Sequence, residues 1–137
     1  MKKENKKDMR IKKMIIVDTD VLIEIFDKNS EKGDLALKKL ENSKEDIAIT
    51  SITLHEILFG HYKYKKKIKD ILQINTIAFN KNDAELSAKI EYNLEKKGKI
   101  ISRTDTMIAA IALNRKAKIY TFNKKHFQKI KQVPLVD

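Results

Sequence analysis

Met14-Ile15-Ile16-Val17-Asp18-Thr19-Asp20-Val21-Leu22-Ile23 is the stretch that decides the fold. Lys13 to Val17 is a short apolar run that ends in an acid, the pattern of a buried strand. From Asp20 to Asp27 the apolar residues fall at Val21, Leu22, Ile25 and Phe26, which is a helical spacing.

The same alternation continues outward along the chain. Glu31 to Leu40 repeats the helical period through Leu35, Leu37 and Leu40, with Gly33 weakening its start. Asp46 to Thr50 reads as a second strand, and Ser51 to Phe59 as a helix with Ile52, Leu54, Ile57 and Leu58 on its apolar face. Gly60 is expected to interrupt that helix, and Tyr62 to Leu72 to resume as a very basic one. Gln73 to Phe79 is a third strand. Asn80 suits the N-cap of a long helix from Lys81 to Lys97, which Gly98 closes. Asp105 to Arg115 is a strongly apolar helix, Lys118 to Thr121 a fourth strand and Asn123 to Phe127 a short helical turn. Val133 to Val136 is expected as a last strand, with Pro134 at an edge.

Strands that alternate with helices throughout imply an α/β fold: a three-layer α/β/α sandwich with a mainly parallel central sheet of four to five strands. Residues 14–137 read as a single domain, preceded by a basic tail over 1–13 in which seven of thirteen residues are Lys or Arg.

The chain has 137 residues, 42% of them apolar, enough to bury a core. It has no Cys, which excludes disulfides, thiolate zinc sites and cysteine nucleophiles. The formal charge of +11 is a field that attracts polyanions, nucleic acid first among them. No apolar run approaches the ~20 residues that span a bilayer. No membrane association and a cytoplasmic location are therefore expected.

In open sheets of this kind, sites form beyond the carboxyl ends of the strands. Three acids meet that condition: Asp18 ends the first strand, Glu56 lies on the helix after the second, and Asp105 opens the apolar helix before the fourth. Each has apolar neighbours, and an ionised carboxylate near a core is costly unless something compensates it. A divalent cation is one such compensation, and oxygen donors suit Mg²⁺ or Mn²⁺. Such ions activate water and stabilise charge on a scissile phosphate. Acids from several strand ends on a basic chain thus point to phosphodiester hydrolysis.

Each acid also has a purely structural role open to it. Asp105 taken alone reads first as a helix cap or first-turn acid. Asp20 reads first as the cap of the first helix, and Glu56 fits an exposed helix position paired with a Lys. Asp18 alone lacks an obvious local role. His55-Glu56 begins like a zinc-protease motif, but Phe59 stands where the second His would be. His55, His61 and His126 are all read as non-ligands, His126 as packing or touching RNA.

The pattern resembles the PIN-domain family, and within it the VapC toxins of toxin–antitoxin pairs. Four boxes carry the resemblance: Ile16-Val17-Asp18-Thr19-Asp20-Val21-Leu22-Ile23, Thr50 to Gly60 around Glu56, Asp105-Thr106-Met107-Ile108-Ala109-Ala110, and Thr121-Phe122-Asn123-Lys124-Lys125-His126-Phe127. They occur in order from Met14 to the end of the chain.

The resemblance implies an endoribonuclease in which Asp18, Glu56 and Asp105 hold one or two Mg²⁺ or Mn²⁺ ions and a metal-activated water attacks an RNA phosphodiester. Thr19, Asp20, Thr121 and Asn123 would then act from behind those ligands. Asn123 stands where many relatives carry a fourth acid, and it can reach an ion through water. The resemblance further implies RNA as substrate (transfer, ribosomal or messenger), a homodimer and a small antitoxin partner. Lys63, Lys65, Lys66, Lys67 and Arg103 are candidate RNA contacts, because basic–aromatic surfaces such as Tyr62 to Lys67 grip phosphates and stack bases.

Three other readings share these features: a PIN-type RNA-processing nuclease without an antitoxin, a phosphatase of the haloacid-dehalogenase type using Asp18 and Asp20, and a non-catalytic RNA-binding protein.

Overall fold

Alternate residues of the first strand serve two different cores. Ile15 and Val17 enter a cluster with Val21, Leu22, Ile25, Leu40, Ile49 and Ile57. Ile16 enters the other, with Leu94, Ile108, Ile111, Ile119 and Phe127. A strand buried on both faces lies in the middle layer of a sandwich. The computed structural model, which describes residues 13–66, 70–130 and 132–137, has that architecture.

Its sheet comprises β1 (Met14–Val17), β2 (Asp46–Thr50), β3 (Asn75–Ile77) and β4 (Lys118–Tyr120). The order is β3-β2-β1-β4 and every pairing is parallel, with Ile15 opposite both Ile47 and Lys118. The expected fifth strand is reduced to one parallel bridge between Ile119 and Leu135. Pro134 has no N–H to give, so its carbonyl accepts from Ile119 at 2.9 Å while Val136 returns one bond to Ile119. That is the whole of the edge pairing among the described residues.

The helices are α1 (Thr19–Leu22), which passes into a π-helical turn over Ile23–Asp27, then α2 (Glu31–Ser43), α3 (Ser51–Tyr64), α4 (Lys81–Lys96), α5 (Arg103–Asn114) and α6 (Lys124–Gln128). Asn80 and Asp83 close a reciprocal capping box at the start of α4, and Gly98 follows its end at φ +69°.

Three local expectations are corrected. Gly60 does not interrupt its helix: α3 runs through it to Tyr64, because an interior Gly costs only about 1 kcal/mol. The basic helix expected from Tyr62 to Leu72 is absent in the described part. Lys65 turns left-handed at φ 56° to end α3, and a short 3₁₀ turn forms at Ile71–Gln73. The cap of the first helix is Asp18, whose carboxylate accepts from Thr19 N–H at 2.8 Å, and not Asp20.

Gly33, which only weakened a helix in the sequence, is required by packing. A Cβ there would sit 2.1 Å from the Glu24 carbonyl oxygen of the π-helical turn. Gly33→Ala is therefore expected to destabilise the protein by about 2 kcal/mol, in the range of overpacked core sites. Urea denaturation would read this, and a gain in stability, as helix propensity alone predicts, would count against the contact.

Among the described residues no helix is long and apolar enough to cross a membrane. Residues 1–12 of the basic tail, and Lys67, lie outside the described residues.

Candidate functional site

The chain steps from β1 to β2 to β3 on one side and returns to place β4 on the other side of β1. The crevice beyond β1 and β4 is therefore the point where the winding reverses, which is where ligands bind in open α/β sheets. Asp18 follows β1 and Thr121 follows β4, and they meet there: the Thr121 hydroxyl donates to Asp18 Oδ2 at 2.9 Å. Asp18 N–H also donates to the Tyr120 carbonyl at 2.9 Å, which locks the two strand exits together.

Around this pair the other predicted residues assemble to different degrees. Thr19 donates its hydroxyl to Glu56 Oε1 at 2.8 Å, so α3 is tied to the first box. Asp20 accepts the Phe122 N–H at 3.1 Å and lies 3.5 Å from the Thr121 hydroxyl. Asn123 N–H donates to Thr121 Oγ1 at 3.0 Å, which makes Thr121 a relay between the fourth box and Asp18. Asp105 sits in the first turn of α5, where Ser102, and not Asp105 itself, is the cap. Its charge reaches Asp18 and its Oδ2 lies 3.3 Å from His126 Nδ1.

The electrostatics single out Asp18. It is 8% exposed, and burial, followed by the charge of Asp20, pushes its pKa up to about 6. The hydrogen bonds from Thr121 and Thr19 oppose that rise, and the charge of Asp105 adds to it. Asp20 is also raised, chiefly by burial, against the bonds from the Phe122 and Val21 N–H groups and the nearby Lys32. Among the described residues Asp20 Oδ1 is buried and has no hydrogen-bond partner. A buried carboxylate whose ionisation is opposed by the charges of two other acids, beside an orphaned carboxylate oxygen, is a demand for positive charge.

The donor set fits a hard divalent cation. Asp18, Asp20, Glu56, Asp105 and Asn123 offer only oxygen, and no thiolate is present in the chain. Among the described residues no three acids or histidines already form a closed ligand cluster.

The candidate RNA contacts are less open than their charges suggest. Lys66 is paired with Asp27 at 2.7 Å, and Arg103 forms a two-pronged pair with Glu91 at 3.1 Å on each prong. Lys63 lies over the rings of Phe59 and Tyr64, and Lys65 is exposed. Two side chains that sequence reasoning did not give to the site are at it. His126 stands beside Asp105, and Lys32 lies 4.0 Å from the Phe122 ring centre while lowering the Asp20 pKa. The His126 signal was its three-residue spacing from Asn123; Lys32 had none.

Comparison with known proteins agrees with this fold. The model of the PIN domain matches residues 15–133. Ribonuclease VapC1 of Methanocaldococcus jannaschii is 32% identical over 143 residues, covering 98% of this chain and 94% of its own. Ribonuclease VapC2 of Rickettsia felis is 30% identical over 122 residues, covering 84% and 90%. Among solved structures, VapBC2 from Rickettsia felis, bound to a DNA fragment from its promoter, superposes with a TM-score of 0.77. It is 28% identical and covers 90% of this chain and 97% of its own. VapBC-1 from nontypeable Haemophilus influenzae shares the fold with a TM-score of 0.77 at 22% identity, covering 90% and 97%. With its domain match, its full-length relatives and its all-parallel sheet in accord, the chain belongs to the PIN-domain family, in the branch that holds the VapC ribonucleases.

Proposed function

We propose that this protein is an endoribonuclease dependent on Mg²⁺ or Mn²⁺, acting inside the cell as the toxin of a toxin–antitoxin pair. The observation that carries the reading is Asp18: a buried carboxylate at the reversal point of the sheet, clamped by Thr121 and Thr19 and raised to about 6. Relatives that are named ribonucleases support the reaction class, and VapBC complexes among the similar structures support an antitoxin partner. Residues 14–137 form the one nuclease domain, with a homodimer as the assembly.

In this reading Asp18, Glu56 and Asp105 hold one or two ions, and Asn123 adds a contact through water. A divalent cation at this place supplies an activated water and neutralises charge on the phosphodiester. Thr121 fixes the face that Asp18 presents, because its hydroxyl is itself held by the Asn123 N–H. Thr19, the residue next to the buried acid, does the same for Glu56. Asp20 ties the exit of β4 to the start of α1 through Phe122.

The test is cleavage of a labelled cellular RNA pool (transfer, ribosomal and messenger) by purified protein with Mg²⁺, with Mn²⁺ and with EDTA. Cuts that need a metal are expected. RNA that is bound yet intact under all three conditions would defeat the nuclease reading and leave a binding protein.

RNA should also reach the protein partly along the exposed end of α3. In a cleavage-dead background, Lys63→Ala with Lys65→Ala is expected to lower the slope of log affinity against log salt. Two lost contacts to a single strand correspond to a decrease of roughly 1.4. Fluorescence anisotropy reads it, and an unchanged slope would take this helix end off the RNA path. Arg103→Ala should matter less, because Glu91 already neutralises that side chain.

A further inference from the structure

Of the three histidines, only His126 is brought to an acid of the candidate site. His61 faces the Lys66 carbonyl and His55 is exposed. His126 Nδ1 lies 3.3 Å from Asp105 Oδ2, with Asp105 17% exposed and His126 55%. Donors on adjacent corners of an octahedron, at bonds of roughly 2.1 Å, stand about 3 Å apart. The observed pair is close to that spacing.

The segment that carries His126 is tightly anchored. Thr121 binds Asp18 with its hydroxyl and receives the Asn123 N–H on the same oxygen. The His126 N–H donates to the Asn123 carbonyl at 3.1 Å, and the next residue, Phe127, is fully buried. The imidazole is thus presented to Asp105 from a fixed turn of helix and not from a loose surface loop.

We propose that His126, through its imidazole nitrogen, is a ligand of the cation site beside Asp105, and that it tilts the site toward Mn²⁺ over Mg²⁺. This rests on the reading of Asp18, Glu56 and Asp105 as the cation's acids. Mg²⁺ keeps to oxygen donors and water, whereas an imidazole nitrogen favours transition ions. One nitrogen in an otherwise all-oxygen set therefore separates two ions of similar charge and size.

The experiment loads the full-length protein with Mn²⁺ and records pulsed electron paramagnetic resonance, which detects ¹⁴N coupled to the bound ion without any turnover. Wild type is expected to show an imidazole ¹⁴N coupling that His126→Gln removes. In the same variant the Mn²⁺ Kd should rise about ten-fold and the Mg²⁺ Kd should change far less. His126 is more than half exposed, so the fold should tolerate Gln, and circular dichroism checks this. Mn²⁺ that binds without ¹⁴N coupling, yet is lost in Asp18→Asn, would overturn the histidine ligand and leave the acid site standing. A coupling that persists in His126→Gln would assign the nitrogen to His55 or His61 and overturn the proposal equally. No Mn²⁺ binding at all would overturn this inference together with the reading beneath it.

Discussion

Replacing Asp18 by Asn is expected to cut RNA cleavage by on the order of 10³-fold while making the metal-free protein more stable. The two effects have one cause. Asp18 is held in a buried crevice, next to Asp20 and within reach of the charge of Asp105. Its carboxyl moves from an ordinary 3.8 to about 6, so the folded protein holds that proton more tightly than the unfolded chain does. Stability then falls as pH rises from about 4 to about 6, and above that the whole penalty stands, on the order of 3 kcal/mol.

Asn removes the charge and keeps the cap, since its side-chain oxygen still accepts from the Thr19 N–H. Part of the gain is lost in re-pairing its amide with Thr121. A net increase of about 2 kcal/mol, or about 6 °C in Tm, remains at pH 7. Melts in EDTA at pH 7 and at pH 4 would show a difference that shrinks in acid. A variant that is less stable than wild type at pH 7 would remove the electrostatic argument. In cleavage, Asp105→Asn should fall as far as Asp18→Asn, and the double variant little further, because on the proposed reading the two hold one ion and residues that act as a unit are not additive.

The second large effect is expected away from the site, at Asp83. Asp83 is 0% exposed at the start of α4. It receives Arg115 Nη1 at 2.8 Å and Nη2 at 3.1 Å, Asn114 Nδ2 at 2.8 Å and the Asn80 N–H at 2.9 Å. Burial opposes its ionisation, but those hydrogen bonds and the guanidinium charge outweigh it and hold the pKa below the usual carboxylate value. Asp83→Ala would leave Arg115 unpaired in a largely enclosed place and cost about 4 kcal/mol. The helix that Asp83 secures is α5, whose first turn carries Asp105. Because the pKa is depressed, the contribution is present above the ordinary 3.8 and is lost as pH falls through the lower folded value. Urea denaturation at pH 7 and in acid would read it, and a loss below about 1 kcal/mol would show the network to be dispensable.

The sequence alone determined the order of the four strands and of most helices between them, the burial of β1, and the placement of Asp18 at a strand exit, Glu56 on the helix after β2 and Asp105 in a first helical turn. Those features follow from short apolar runs, from the local period of 3.6 and from the rule that sites open at the carboxyl ends of strands. Only the tertiary structure decided which groups stand opposite one another. Asp18 shares a hydrogen bond with Thr121, 103 residues away, and Asp83 meets Arg115 across 32 residues. His126 meets Asp105 between two separate helices. The lysine and arginine charges that looked free are partly cancelled by Asp27 and Glu91 from other elements. The last apolar run, a strand by its composition, forms one bridge because its Pro134 cannot donate to a ladder. A hydrophobic period reports which face of an element is buried. Partner choice among charges depends on distances between elements, and packing sets those distances.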